Sequence, residues 1–291
     1  MKKKNKNRVA IITGASQGLG LEISKKFASS GMSLMICSRN YEELKKAKKE
    51  IFPYLVDDNE ISINKCDVSI KENVEKVIFE TKKKFGTINV LVNNAGIWGA
   101  KGEIEKVNWE EWVNTINTNL LGSVLMIRYV LPIFKANKYG KIIQLSGGGA
   151  TKPMPLTSAY AASKAGIVRF VETISEEVRG SGIDINAIAP GALNTQMLTE
   201  MLKAGPKKIG EKAYANAIKQ NSMGGDSLES AASLALFLAS SISDGITGKL
   251  ISAKWDNWKS FTKFTKELND SDVFTLRRIV GKDREFDWGD K

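Results

Sequence analysis

A tyrosine and a lysine spaced one helical turn apart are the residues that most directly suggest proton chemistry. They stand in the run Tyr160-Ala161-Ala162-Ser163-Lys164, and residues four positions apart share one face of a helix. A free tyrosine has a pKa near ~10 and exchanges protons poorly at neutral pH, but a nearby ammonium stabilises the phenolate and lowers that pKa. The same spacing occurs on ordinary surface helices, so the pair by itself is weak evidence for catalysis.

The start of the chain has the pattern of a dinucleotide-binding turn. Val9-Ala10-Ile11-Ile12 predicts a strand, and Thr13-Gly14-Ala15-Ser16-Gln17-Gly18-Leu19-Gly20 follows it directly and leads into a helical pattern. In that context glycines let the backbone approach a pyrophosphate, and the helix N-terminus offers unpaired N–H groups to it. The glycines are spaced G-x-x-x-G-x-G, and the alternative interpretation is an ordinary strand-to-helix turn.

Together these residues resemble the short-chain dehydrogenase/reductase family, in its compact single-domain branch. Three further motifs carry the resemblance in the right order. Asn93-Asn94-Ala95-Gly96 matches a motif at the end of the fourth strand, Asn119 falls at the position of a catalytic asparagine, and Pro190-Gly191 followed by Thr195 resembles the loop that contacts the nicotinamide. The similarity therefore spans most of the chain.

The resemblance implies reversible hydride transfer between nicotinamide C4 and a carbonyl carbon. Tyr160 would exchange the proton of the substrate oxygen, Lys164 would lower the pKa of Tyr160 and bind the nicotinamide ribose, and Asn119 would hold a water of a proton relay. The residues expected at the cofactor are Gly14, Ser16, Gln17, Gly18, Leu19, Gly20, Ser38, Arg39, Asp67, Val68, Asn94, Ala95, Gly96, Tyr160, Lys164, Pro190, Gly191 and Thr195.

The end of the second strand favours NADP(H) over NAD(H). Sites for NAD usually carry an acidic residue there, which holds the ribose 2′-hydroxyl. This chain has Cys37-Ser38-Arg39-Asn40 instead. Arg39 could pair with a 2′-phosphate and Ser38 could donate a hydrogen bond to it. NAD(H) stays possible, because Arg39 could equally begin the solvated face of the next helix.

The serine of the family's catalytic set is not at its usual place, which here is Gly147 in Ser146-Gly147-Gly148-Gly149. Ser146 is one residue earlier, and on a regular strand its side chain would face the opposite way. A bulge at the glycines could turn it inward. We favour Ser146 as catalytic, with its hydroxyl about 2.6–3.2 Å from the Tyr160 hydroxyl or a bound carbonyl. Alternatively, backbone N–H groups of the glycine run bind the developing oxyanion.

Alternating apolar runs and helical patterns predict an α/β fold, a single-domain Rossmann-like doubly wound parallel sheet of about seven strands with helices on both faces. Predicted strands cover 9–12, 33–37, 61–68, 90–92, 141–145, 184–189 and 249–253. Predicted helices cover 41–51, 71–85, 109–134, 158–178 and 228–239.

The predicted organisation is a basic arm (1–8), a catalytic domain (9–253) and a C-terminal extension (254–291). The extension departs from the family pattern and is too apolar for a disordered tail. Trp258, Phe261, Thr265 and Leu268 fall on a helical stripe. We expect this stripe to pack on its own domain or on a partner subunit.

Composition excludes several classes of function. The 291 residues contain no histidine, which rules out a histidine base, a Ser-His-Asp triad and histidine-ligated zinc, and we predict no metal. The net charge of +11 owes much to the basic arm, a solvated terminus rather than a nucleic-acid surface. Two cysteines and the lack of a run of ~18 apolar residues favour a cytoplasmic location without a membrane span.

The segment expected to cover the substrate, Leu193 to Asp226, is locally cationic, with Lys203, Lys207, Lys208, Lys212 and Lys219 against Glu200 and Glu211. It could attract an anionic carbonyl or alcohol substrate, although such lysines are often only solvated. A 3-oxoacyl-carrier reductase and a sugar or steroid-like alcohol dehydrogenase are both possible. The resemblance implies a homodimer or homotetramer. The alternative from a different functional class is a non-catalytic protein that binds a dinucleotide as a regulator or scaffold.

Overall fold

Seven parallel strands in the order β3-β2-β1-β4-β5-β6-β7 form the centre of the fold. The computed structural model describes residues 8–288, so residues 1–7 of the predicted basic arm lie outside it, and Arg8 begins the first strand. The strands are β1 (Arg8–Thr13), β2 (Met32–Ser38), β3 (Ile61–Lys65), β4 (Val90–Asn93), β5 (Gly140–Leu145), β6 (Ile183–Ala189) and β7 (Leu250–Ser252).

Helices cover both faces of this sheet, as the predicted fold class requires. They are α1 (Gly18–Ser29), α2 (Tyr41–Ile51), α3 (Lys71–Phe85), α4 (Trp109–Ile116), α5 (Gly122–Asn137), α6 (Ser158–Glu177), α7 (Gln196–Ala204), α8 (Pro206–Ile209), α9 (Glu211–Met223), α10 (Leu228–Ala239) and α11 (Thr265–Asn269). The doubly wound parallel sheet predicted from the alternating pattern is confirmed.

The core forms two layers because strand side chains alternate between the faces of the sheet. Ala10 and Ile12 of β1 belong to the layer under α1 and α10, and Ile11 between them belongs to the layer on the opposite face. A strand buried on both faces must be apolar along its whole length. For this reason β1 is a continuous hydrophobic run rather than an alternation of apolar and polar residues.

Two predicted elements differ from the observed ones by more than one residue at an end. The third strand ends at Lys65 rather than at residue 68, because the chain turns there: Ser69 donates its N–H to the Asp67 carboxylate at 3.0 Å. The helix predicted over 109–134 runs to Asn137 but contains a π-helical segment, Asn117–Leu121, between α4 and α5. Such bulges commonly occur at functional sites, and this one contains Asn119.

By length and composition alone, the continuous helix Trp109–Asn137 could cross a membrane, and it is the one helix within residues 8–288 that meets this test. The sequence was expected to contain no such segment. In the structure, Met126, Val130 and Phe134 of this helix are fully buried in the core layer. Core helices of other folds meet the same criterion.

The C-terminal extension packs on its own domain. Trp258 and Phe261 lie in a 3₁₀ helix, Leu268 lies in α11, and all three are buried in the core layer that contains α10. Farther on, the extension covers the open edge of β7, because Leu250 donates its N–H to the Phe274 carbonyl at 2.7 Å. An uncovered edge strand tends to pair with other chains, and the extension covers this edge at Leu250.

Replacing Trp258 by Ala should destabilise the domain, because Trp258 is 8% exposed and its ring lies 5.6 Å from that of Phe237. Large-to-small changes of buried aromatic residues cost about 3–5 kcal/mol. The free energy of unfolding measured in urea checks this. Trp255, 77% exposed, is the matched control, and Trp255→Ala should change stability by about 0.5 kcal/mol or less. Equal effects of the two substitutions would contradict the packing described for the extension.

Candidate active site

The motif residues meet at the carboxyl edge of the parallel sheet. The glycine turn follows β1, Asn94 to Gly96 follow β4, Ser146 follows β5, and Pro190-Gly191 follow β6. β1 and β4 are neighbours in the sheet, and the strand order reverses between them. Open α/β sheets bind ligands in the crevice at this kind of reversal.

The glycine turn leaves the N-terminus of α1 open to a ligand. Gly14 has φ +63°, and a Cβ atom built on Gly20 would lie 2.4 Å from the Gly14 carbonyl oxygen, so a side chain cannot be accommodated at Gly20. The N-cap residue Gln17 makes no side-chain hydrogen bond to the helix, and the first turn contains no acidic residue. The free N–H groups can therefore donate hydrogen bonds to a pyrophosphate.

The other predicted residues of this turn lie around the same helix end. Ser16 is half-buried and Gln17 is exposed, whereas the Leu19 side chain packs in the core, so Leu19 offers only its backbone. A Cβ atom built on Gly18 would lie 3.4 Å from the Thr195 methyl carbon. The structure thus brings Thr195, at the start of α7, against the glycine turn.

Asn94 fastens the glycine turn to the end of β4. Its side-chain amide donates to the carbonyls of Thr13 and Gly14, both at 3.0 Å. In return, the N–H groups of Asn94 and Ala95 donate to the Thr13 hydroxyl, also at 3.0 Å. Thr13 was not among the predicted site residues, although it stands in the motif. These four bonds fix the turn relative to the sheet.

Asn119 joins the loop after β4 to α6. It is 1% exposed, and its amide oxygen accepts the Ile97 N–H at 2.8 Å. The amide nitrogen donates to the Ile97 carbonyl at 2.9 Å and to the Ser163 hydroxyl at 3.1 Å. Both amide hydrogens are therefore used by protein groups, so the side chain positions the loop and leaves no donor for a water.

Tyr160 and Lys164 are buried together on α6, with 6% and 4% of their surfaces exposed. The Lys164 ammonium donates to the Leu145 carbonyl at 3.0 Å and lies 5.6 Å from the centroid of the Tyr160 ring. A Cβ atom built on Gly96 would lie 3.7 Å from the same ammonium. The two side chains and the end of β4 thus border one small space.

Burial disfavours the charged form of both groups. It lowers the pKa of Lys164 to about 8 and raises the pKa of Tyr160 to about 12. In the protein alone, desolvation is the cause of the raised Tyr160 pKa, and the lowering by Lys164 that the resemblance implies stays a prediction. A buried lysine near its own pKa at neutral pH can release a proton, and pKa values shifted in this way are typical of functional sites.

Trp98 is a site residue that the sequence did not identify. Its ring centroid lies 4.4 Å from that of Tyr160, and Trp98 is itself 7% exposed. Trp98 therefore covers the tyrosine ring and restricts its rotation. The sequence signal that could have identified Trp98 is its position two residues after Gly96. The loop that follows the Asn93-to-Gly96 motif must border the same cleft, so an aromatic residue in that loop is expected near the site.

Gly147, not Ser146, faces the tyrosine. A Cβ atom built on Gly147 would lie 2.7 Å from the Tyr160 hydroxyl oxygen. The backbone at Gly147 is extended, with φ −177° and ψ 175°, so Ser146 points the opposite way. Its buried hydroxyl has no hydrogen-bond partner within the described chain. The expected contact between Ser146 and Tyr160 is not formed, because the glycines do not bulge to turn Ser146 inward.

The predicted cofactor residues Ser38, Arg39, Asp67 and Val68 lie at or just after the ends of β2 and β3. Arg39 is exposed, and the Ser38 hydroxyl donates to the Asn40 carbonyl at 3.2 Å. The Asp67 carboxylate accepts the Ser69 hydroxyl at 2.6 Å. Val68 is buried and packs against α5, where a Cβ atom on Gly122 would lie 2.7 Å from Val68 Cγ2. Among these four predicted residues, Arg39 is thus the charged one whose side chain is exposed.

Comparison with known proteins gives one consistent family. The family model described as short chain dehydrogenase matches residues 8–205. A curated 3-oxoacyl-[acyl-carrier-protein] reductase from Thermotoga maritima is 34% identical over 247 residues, covering 84% of this chain and 95% of the relative. The solved structure of levodione reductase is 29% identical with a TM-score of 0.78, covering 88% of this chain and 98% of that one. The solved structure of an actinorhodin polyketide ketoreductase with NADPH is 25% identical with a TM-score of 0.77. The match covers 87% of this chain and 97% of that one.

The fold and the site are those of an oxidoreductase that binds a nicotinamide dinucleotide and acts on a small-molecule substrate. This chain belongs to the short-chain dehydrogenase family. Within residues 8–288, no three His, Cys, Asp or Glu side chains gather as a metal site would require.

Changing Gly147 to Ala should reduce turnover much more than changing Ser146 to Ala. The added methyl group would displace the Tyr160 hydroxyl, and a misplacement of about 1 Å can cost about 10²-fold in rate. Ser146→Ala removes a hydroxyl that has no partner, so it should leave turnover nearly unchanged. Steady-state rates of both variants check this. A large loss in Ser146→Ala with an active Gly147→Ala would restore the catalytic role first expected for Ser146.

Lys164→Met should abolish turnover and yet stabilise the fold near pH 7. Burial lowers the Lys164 pKa from 10.5 to about 8, so the charged form costs stability at neutral pH. Removing it should raise the free energy of unfolding by about 1–2 kcal/mol. Between pH 8 and pH 10.5 the unfolded wild type binds more protons than the folded one, so wild-type stability rises and the advantage of Lys164→Met should shrink. Urea unfolding near pH 7 and near pH 9.5 measures this, and a variant less stable at both values would contradict the account.

Proposed function

We propose that this protein is a carbonyl reductase that prefers NADP(H) and interconverts a ketone and a secondary alcohol, with 3-oxoacyl thioesters as the favoured substrate class. The observation that carries the proposal is the buried Tyr160–Lys164 pair at the carboxyl edge of the sheet, beside the uncapped N-terminus of α1. Proton donor and dinucleotide site then border one cleft, as hydride transfer to a carbonyl requires.

The residues of the site fit the dinucleotide. The glycine turn and the first N–H groups of α1 would hold the pyrophosphate. Gly96 and the Pro190-Gly191 loop would border the nicotinamide end, and Lys164 would donate to the ribose hydroxyls. When bound, the cofactor supplies the hydride.

Tyr160 would donate its proton to the substrate oxygen, the role of general acid. In the free protein burial keeps Tyr160 protonated, with a pKa of about 12, which suits a donor in the direction of reduction. Lys164, with a pKa of about 8, would return a proton to Tyr160 after each turnover. Trp98 holds the tyrosine ring in place. Backbone N–H groups of the glycine run, rather than Ser146, would then bind the developing oxyanion.

The preference for NADP(H) is inferred from the end of β2. No carboxylate stands at residues 38–40 to accept a ribose 2′-hydroxyl, and the Arg39 side chain is exposed. A guanidinium there pairs well with a 2′-phosphate. The similar solved structures include one with NADPH and one that is NAD+-bound, so the choice rests on the residues at the end of β2.

The substrate class is inferred from the similar proteins and from charge. The relative at 34% identity is named a 3-oxoacyl-[acyl-carrier-protein] reductase, and one of the similar structures is named a polyketide ketoreductase. The cationic segment from Leu193 to Asp226 would favour an anionic carrier or thioester. We expect a cytoplasmic homo-oligomer. A dinucleotide-binding regulator is the alternative, and it predicts tight NADPH binding without turnover.

Tyr160→Phe should lower turnover by about 10²-fold or more, because the proton donor is lost, while NADPH affinity stays within about twofold. NADPH oxidation would be followed with a panel that contains a 3-oxoacyl thioester, a keto sugar and a steroid-like ketone. If the variant keeps more than a few per cent of wild-type activity, Tyr160 is not the acid. A wild type that binds NADPH tightly but reduces no member of the panel would favour the regulator.

Arg39→Ala should reduce kcat/KM for NADPH by about 10-fold or more, since it removes a charge-assisted hydrogen bond to phosphate. The value for NADH should stay unchanged, which makes NADH the internal control. Equal losses with both cofactors would point to a structural role of Arg39. A wild-type preference for NADH would refute the choice of NADP(H).

A further inference from the structure

A carboxylate outside the predicted site holds the backbone of the loop after β6. Asp226 Oδ2 accepts the Ala192 N–H at 2.7 Å, and the Asp226 N–H donates to the Ala192 carbonyl at 2.8 Å. Gly191 has φ +98°, and a Cβ atom built on it would lie 2.6 Å from Asp226 Oδ2. The carboxylate thus lies directly against the Gly191–Ala192 peptide.

These bonds close the base of the covering segment, which we define as residues 193–225 and which contains α7, α8 and α9. Ala192 precedes it and Asp226 follows it, and the reciprocal bonds tie its two ends together. A second link lies just inside: the Gln220 amide donates to the Asn194 amide oxygen at 3.1 Å. The segment therefore leaves and rejoins the domain at one point, next to the Pro190-Gly191 loop.

Lys254, the first residue of the C-terminal extension, anchors this point to the sheet. Its ammonium lies 2.7 Å from Asp226 Oδ1. The preceding residue, Ala253, donates its N–H to Ala189 at the end of β6 at 3.0 Å and accepts the Ser230 hydroxyl of α10 at 3.1 Å. The lysine therefore extends from a backbone that is fixed on both the sheet and a helix.

We propose that Asp226 and Lys254 are positioning residues that set the geometry of the Pro190-Gly191 loop and thereby the affinity for the dinucleotide. Asp226 orients the Gly191–Ala192 peptide, and Lys254 holds Asp226 in place. This inference rests on the proposed function, because it takes the Pro190-Gly191 loop to border the nicotinamide.

The electrostatics of the pair agree with this role. Desolvation alone would raise the pKa of Asp226, but the Lys254 ammonium and the Ala192 N–H outweigh it and hold the pKa below its ordinary value. The carboxylate is thus ionised at neutral pH and is the stronger acceptor for the peptide N–H. Lys254 keeps 43% of its side chain exposed and Asp226 20%, so the ion pair itself contributes modestly.

The test uses the full-length protein and the variants Lys254→Met, Lys254→Arg and Asp226→Ala. Lys259→Met is the matched control, since Lys259 is an exposed lysine of the same extension. Amide hydrogen exchange of residues 193–225 is measured without cofactor, and the NADPH dissociation constant is measured by fluorescence titration. Urea unfolding of each variant separates a local effect from a global loss of stability.

Lys254→Met should raise both the exchange rate of the covering segment and the NADPH dissociation constant by about 2- to 5-fold. Asp226→Ala should raise both by about 10-fold or more, because a charged hydrogen bond is also lost. Lys254→Arg should restore wild-type values, and Lys259→Met should match them. The KM for NADPH should change more than kcat does.

Unchanged exchange in Lys254→Met and Asp226→Ala, or a change that only follows global unfolding, would overturn the inference. Faster exchange with an unchanged dissociation constant would overturn the link to the dinucleotide. A wild type that binds no NADPH would instead refute the proposed function, and the exchange measurement would still decide whether the pair holds the segment.

Discussion

Burial of the Lys164 ammonium beside Tyr160 is the constraint on which the site depends. A charged group that is 4% exposed loses most of its hydration, and the fold compensates it with one carbonyl, that of Leu145 at 3.0 Å. The result is a lysine with a pKa of about 8, at a cost in stability. Proteins retain such destabilising groups chiefly where function requires them.

The surrounding polar contacts connect the strand ends that must stay together around this lysine. Asn94 joins the turn after β1 to the end of β4, Asn119 joins the loop after β4 to Ser163 on α6, and Lys164 joins α6 to β5. The first two links join residues far apart in sequence, and Asn119, Ser163 and Lys164 are buried. The cleft is thus held by a continuous set of hydrogen bonds before any ligand enters.

Local pattern was sufficient for the scaffold, since α2, α3 and α10 begin and end at the residues that periodicity and caps predict. It was insufficient where distant groups decide the geometry. The π-helical segment at Asn117–Leu121 accompanies the contacts of Asn119 with Ile97 and Ser163. These contacts join residues far apart in the sequence, so a local sequence pattern cannot predict them. The direction of the Ser146 side chain depended on whether the three glycines bulge, and in the structure Gly147 is extended with Tyr160 lying against it.

Transfer of deuterium from the cofactor tests the central claim most directly, that Tyr160 and Lys164 serve hydride transfer to a carbonyl. The protein would be incubated with a 3-oxoacyl thioester and NADPH deuterated at nicotinamide C4, in separate reactions with each of the two stereoisomers. The account predicts that one stereoisomer gives a 3-hydroxy product that carries one deuterium on the carbinol carbon, detected by mass spectrometry, and that Tyr160→Phe gives almost none. Product without deuterium from either stereoisomer, or equal labelling by Tyr160→Phe, would contradict it.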